Sequence, residues 1–94
     1  MDALEQARET INRVDSRIAE LFAERMRAAE AIAAYKKAHG LPVEDPAREA
    51  AVIRAGSERV ADPVLREYYV RFIQETMALS KAYQTRLLTG MKVA

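Results

Sequence analysis

The sequence has no cysteine, no tryptophan and a single histidine. Without thiols, disulfides and thiolate metal sites are excluded, and a lone imidazole cannot build a histidine-rich metal centre; no metal is expected, and no cofactor. That histidine, His39, reads as a solvated loop residue. Charge of one sign is not in excess: 15 Lys and Arg stand against 14 Asp and Glu, a net charge of +1. Such a balance gives no field to attract nucleic acid or a membrane surface. No apolar run approaches the ~20 residues of a bilayer span, and the opening MDALEQARET lacks the apolar core of a signal peptide. A soluble cytoplasmic protein is expected, with no nucleic-acid or membrane partner.

Glycine and proline are also scarce, three of each, and their positions divide the chain. Gly40, Pro42 and Pro46 fall together, Gly56 stands alone, Pro63 marks a second break, and Gly90 lies near the end. No alternating strand pattern competes with the helix formers between them, and three helices are predicted. The first runs from about Asp2 to Ala38, stopped by Gly40 with Pro42 beyond it. The second starts with Asp45 as N-cap and Pro46 in the first helical position, where the N–H that proline lacks would be orphaned anyway. It fades near Gly56. Asp62 and Pro63 repeat the signal and open a third helix reaching about Leu88. With no internal repeat, low-complexity segment or linker, residues 1–94 read as one all-α domain.

The first helix is too long for this chain to cover. At 1.5 Å per residue it spans roughly 55 Å, whereas a compact domain of this size has a radius of gyration of only about 12 Å. Pairing with a second copy is the economical solution, so an intertwined homodimer is expected. The alternative is a helix that coils against a different protein.

Along that helix Leu4, Ala7, Ile11, Val14, Ile18, Leu21, Arg25, Ala28, Ile32 and Tyr35 recur three and four residues apart, the spacing of an apolar seam. Arg25 is the one charged member. A guanidinium in such a line costs several kcal/mol of desolvation unless an anion meets it, which points to a buried anion site. On a helical wheel Lys36 falls within about 20° of Arg25, so both cations lean over one face. A lysine alone at that place would snorkel to water.

Ile73, Met77, Ser80, Gln84 and Leu87 repeat the anomaly on the third helix, with two polar residues in an apolar line. Singly, buried polar groups of this kind usually serve structure; beside Arg25 and Lys36 they become candidate ligands. Arg48 and Glu49 project from the first turn of the second helix, where the dipole favours the glutamate but gives the arginine nothing, so Arg48 asks for another partner. Arg8 flanks the seam 17 residues before Arg25, roughly 25 Å away along a straight helix. It cannot share a small ligand with Arg25 of its own chain. Antiparallel long helices in a dimer would bring it to the other copy's site; otherwise it is a solvated surface arginine.

The stretch from Arg8 to Asp15, LFAER ending at Arg25, the YKK run carrying Lys36, HGLPVEDPARE from His39 to Glu49, and the Ser80/Gln84 pair closely resemble the small all-helical chorismate mutases of the shikimate pathway. The resemblance covers nearly the whole chain. It implies an intertwined three-helix dimer with two identical sites, each mostly from one chain and completed by an arginine of the other. Position by position, it implies that Arg25 and Arg8 of the partner subunit hold the carboxylates of chorismate, with Arg48 adding positive charge and Ser80 supporting the ring carboxylate. Lys36 and Gln84 would donate to the ether oxygen. Glu49 would accept from the ring hydroxyl, and Asp45 would contribute through its backbone near the same group.

The reaction so implied is an isomerisation, the sigmatropic rearrangement of chorismate to prephenate, which needs no nucleophile, acid, base or metal. Holding the flexible dianion folded and stabilising charge on the breaking ether oxygen suffice, and cations with an amide donor suit that task. Because Gln84 does not titrate, activity is expected not to require protonation at that position. Isochorismate pyruvate lyases and aminodeoxychorismate mutases, related helical enzymes for similar dianions, are the nearest rivals, and Glu49, suited to a hydroxyl, argues against them. A non-enzymatic helical dimerisation module, whose buried polar residues merely set register, is the rival of another class.

Overall fold

The computed structural model describes residues 1–90. Of the domain expected over 1–94, Lys92 and the rest of the tail lie outside the described residues. Three helices follow one another, α1 (Ala3–His39), α2 (Pro46–Glu58) and α3 (Pro63–Leu88), and among the described residues there is no strand. Nor is any helix among the described residues long and apolar enough to cross a membrane.

Each boundary has a local cause. Asp2 caps α1 by accepting the Glu5 N–H at 2.8 Å, and Glu5 itself lies in the first turn, where the dipole favours it. At the other end Gly40 takes the left-handed conformation (φ 63°), which lets Leu41 N–H reach back to Lys36 O at 2.9 Å in a Schellman-type stop. Such a stop runs α1 one residue past the expected end. His39 is therefore the last helical residue rather than a loop residue, exposed as expected but with its ring stacked on Tyr35 at 3.9 Å. Asp45 and Asp62 cap α2 and α3 through Arg48 N–H (3.1 Å) and Val64 N–H (2.9 Å), each followed by its proline.

α2 does not fade at Gly56 but continues to Glu58. Gly56 is buried because α3 passes close by: a β-carbon there would stand 2.8 Å from the Tyr69 ring edge. The glycine marks a close approach of two helices, and its backbone stays helical.

α3 packs against both α1 and α2, while α1 and α2 do not pack against each other. The result is a plate measuring 55 × 33 × 14 Å, little thicker than one helix of ~10–12 Å diameter. Its radius of gyration is 16.5 Å, against about 12 Å for a compact domain of this length. Ala29 and Ala33 of α1 and Ile73 and Met77 of α3 make up the buried apolar set among the described residues. The α3 line read from the sequence is therefore the inward face of that helix, with Ser80 and Gln84 buried alongside the apolar pair and Leu87 half-buried.

On α1 the outcome differs. The apolar seam does not face α3; Leu4, Ile11, Val14, Ile18, Leu21, Ile32 and Tyr35 remain exposed in the single chain. The face against α3 carries Ala29 and Ala33, one residue and about 100° round from Ala28 and Ile32. Small side chains at those positions let the two helices approach, and the larger ones are left pointing away.

Candidate active site

Because α1 and α2 diverge from a common neighbour, a cleft opens between them with α3 as its floor. It encloses about 360 Å³. α1 contributes Arg25, Ala28, Ala29, Ile32 and Lys36; the α1–α2 loop, Val43 and Asp45; α2, Arg48, Glu49 and Val52; and α3, Met77, Ser80, Lys81 and Gln84. Seven of the eight residues singled out in the sequence thus line one cavity. Arg8 does not: it is exposed on the opposite half of α1.

The polar wall is tied together before any ligand arrives. Arg25 Nη1 donates to Ser80 Oγ, joining α1 to α3. Lys36 Nζ donates to Val43 O at 2.8 Å and lies 3.5 Å from Gln84 Oε1. The first of these bonds draws the loop after Gly40 onto the last turn of α1 and fixes the ammonium. With its oxygen turned towards Lys36, Gln84 has its amide nitrogen free to donate. No fully buried side-chain nitrogen or oxygen among the described residues lacks a partner.

Arg25, Lys36, Arg48 and Lys81 set four positive charges against the carboxylates of Asp45 and Glu49, a surplus of two. Apolar side chains, Ala28, Ala29, Ile32, Val43, Val52 and Met77, share the lining with Ser80 and Gln84. A cavity of this kind suits a small, partly apolar dianion that needs several fixed donors, because cations aimed into a partly desolvated space act more strongly than in open water.

Lys81 was not singled out in the sequence. It follows Ser80 directly and lies four residues after Met77 and three before Gln84, so helical spacing puts it on the cavity side of α3. Its ammonium pairs with Glu49 Oε1 at 2.8 Å and with Glu44 Oε2 at 3.4 Å. The hydrogen bond from Lys81 holds the Glu49 carboxyl below the usual glutamate range, partly opposed by loss of solvent. Reciprocally, that bond to Glu49 raises Lys81 above the usual lysine value.

A model of the family described as chorismate mutase type II matches residues 7–85. The chain belongs to the type II chorismate mutase family. Every residue lining the cavity falls inside the matched span, as does Arg8. Comparisons with curated proteins and with solved structures returned no match. The all-helical architecture agrees with this family, whose name denotes an isomerase acting on chorismate.

Proposed function

We propose that this chain is a chorismate mutase that rearranges chorismate to prephenate in aromatic amino-acid biosynthesis, as a cytoplasmic, intertwined homodimer with shared active sites. One observation carries the reading: Arg25–Ser80 and Lys36–Gln84, two hydrogen-bonded pairs that join α1 to α3, line one cavity with two surplus positive charges, within a chain of the chorismate mutase family.

In this reading Arg25 and Ser80 hold a carboxylate of the substrate, and Arg48 adds positive charge near it. With both carboxylates clamped, the enolpyruvyl side chain is held folded over the ring, so the carbons that must join are kept in near-attack contact. The C–O ether bond breaks and the C–C bond forms within one molecule, without proton transfer. Negative charge that grows on the ether oxygen meets Lys36 and the amide N–H of Gln84, which are in place before the reaction starts. Glu49 accepts from the ring hydroxyl, supported by the backbone at Asp45.

Arg8 supplies the remaining cation from the second copy. Two features support this: Arg8 lies roughly 25 Å along α1 from Arg25, out of reach of its own cavity, and the apolar seam beside it lies uncovered. The whole of 1–94 then works as one domain whose site is completed by its twin.

The test is to incubate the purified protein with chorismate, follow its loss by ultraviolet absorbance and identify prephenate as product. Isochorismate and aminodeoxychorismate serve as competing substrates; preferred turnover of either sinks the assignment. Shared sites are tested by mixing Arg8→Ala and Arg25→Ala chains, each inactive alone. Random exchange leaves one whole site in half of the dimers, so about a quarter of wild-type activity should return. No recovery after verified exchange rules out completion across chains.

A further inference from the structure

Lys81 is a cavity-lining cation to which the mutase reading assigns no role. From α3 it bridges two segments at this end of the cavity: Glu44 in the α1–α2 loop and Glu49 in the first turn of α2. Glu49 Oε1 is engaged at 2.8 Å, which leaves its second oxygen to accept from a ligand. We propose that Lys81 is a positioning residue: by bridging Glu49 and Glu44 it fixes the Glu49 carboxylate at the cavity wall as acceptor for a hydroxyl on the bound ring. The proposal rests on the mutase reading for the identity of that ring, but the Lys81–Glu49 coupling exists without substrate.

The chemistry follows from what a free glutamate would do there. An unclamped Glu49 has three rotatable bonds and would swing towards Arg25, Lys36 or Arg48, the cations reaching the cavity from α1 and α2. Engagement there would neutralise donors needed for the substrate carboxylates. Lys81 holds it on the α3 side instead and keeps it ionised, a state that only accepts hydrogen bonds and so selects a hydroxyl donor over an ether or keto group. Glu44 and Asp45 are the remaining carboxylates on this side, and Glu44 shares the ammonium.

The sign of the pH effect is fixed by the geometry. Glu49 loses its acceptor role when it is protonated, so substrate capture fails as pH falls through its titration. Removing Lys81 moves that loss to higher pH. We expect Lys81→Met to raise KM for chorismate about tenfold at neutral pH, the size of one weakened hydrogen bond to a charged group, with kcat changed much less. The acid limb of kcat/KM should shift upward, and Lys81→Arg should restore both. In a double-mutant cycle, Lys81→Met should add little once Glu49→Gln is present. Additive losses, or an acid limb unmoved in Lys81→Met, overturn the proposal.

A measurement without turnover separates this from the function itself. The Glu49 carboxyl carbon, followed by 13C NMR in the wild-type protein, should titrate below the ordinary glutamate range and move up in Lys81→Met. An ordinary midpoint in the wild type overturns the proposal even if the variant does not fold. If the midpoint is low but chorismate is not consumed, the clamp stands and the mutase reading falls.

Discussion

Two halves of helix α1 share one amino-acid periodicity and do different work. From Ala3 to Phe22 every residue is exposed, and Leu4, Ile11, Val14, Ile18 and Leu21 form an apolar line that the described residues leave uncovered. From Arg25 to His39 the helix packs Ala29 and Ala33 on α3, and presents Arg25 and Lys36 to the cavity. The difference teaches that a seam and a packing face need not coincide. Small residues decide where α3 sits, and large ones are kept for a surface outside the chain. Under the dimer reading the first half builds the assembly, the second half builds the site, and Arg8 links the two.

That division can be broken at either end. The largest effect is expected from the seam: Ile18→Glu places an uncompensated charge in each of two facing helices, at several kcal/mol apiece. The protein should then sediment as a monomer at micromolar concentration and lose activity. An unchanged dimer would show that the exposed half of α1 is not the assembly surface. At the cavity end, Lys36→Ala and Gln84→Ala should each lower kcat about a hundred- to thousand-fold, the usual loss when a donor aimed at developing charge is removed. Their circular dichroism and sedimentation should match the wild type, and near-normal kcat in both refutes the role.

Smaller effects sharpen the picture of how one chain supports its cavity. Gly56→Ala gains about 1 kcal/mol of helix propensity but pushes a β-carbon into the Tyr69 ring, where overpacking costs about 1–3 kcal/mol. A net loss of about 1 kcal/mol is expected by urea denaturation. The sign should reverse in a Tyr69→Leu background, and a loss that persists there contradicts the steric account.

The smallest effect is that of pH on stability through Glu49. Its lowered carboxyl contributes stability above the ordinary glutamate pKa, and that stability is lost as pH falls through the folded value. The Tm difference between wild type and Lys81→Met should therefore hold from neutral pH down to the ordinary glutamate pKa and shrink below it. A difference independent of pH would place the effect in packing.

Much of this was legible because it is local. Asp45–Pro46 and Asp62–Pro63 are start signals written in adjacent residues, and Gly40 is a stop whose left-handed φ any other residue would resist. The polar interruptions Arg25, Ser80 and Gln84 stood out against apolar periodicity, and they meet in one cavity. What was not legible depends on approach between helices. Gly56 looked like a terminator because nothing nearby in sequence announces Tyr69. The face of α1 that meets α3 was hidden because Ala29 and Ala33 are less conspicuous than Ile32 and Tyr35. Lys81 escaped notice because a lysine on a helix is ordinarily solvated, and only the fold brings Glu49 to it from 32 residues away.

The 14 Å thickness of the plate reaches beyond the active site. A layer this thin buries few side chains, so little of its cohesion is internal. Under the dimer reading, folding and association are then a single equilibrium, and melting becomes a matter of dilution as well as heat, with a midpoint that climbs as chains are added. If the proposed dimer is the catalyst, it switches itself off when scarce.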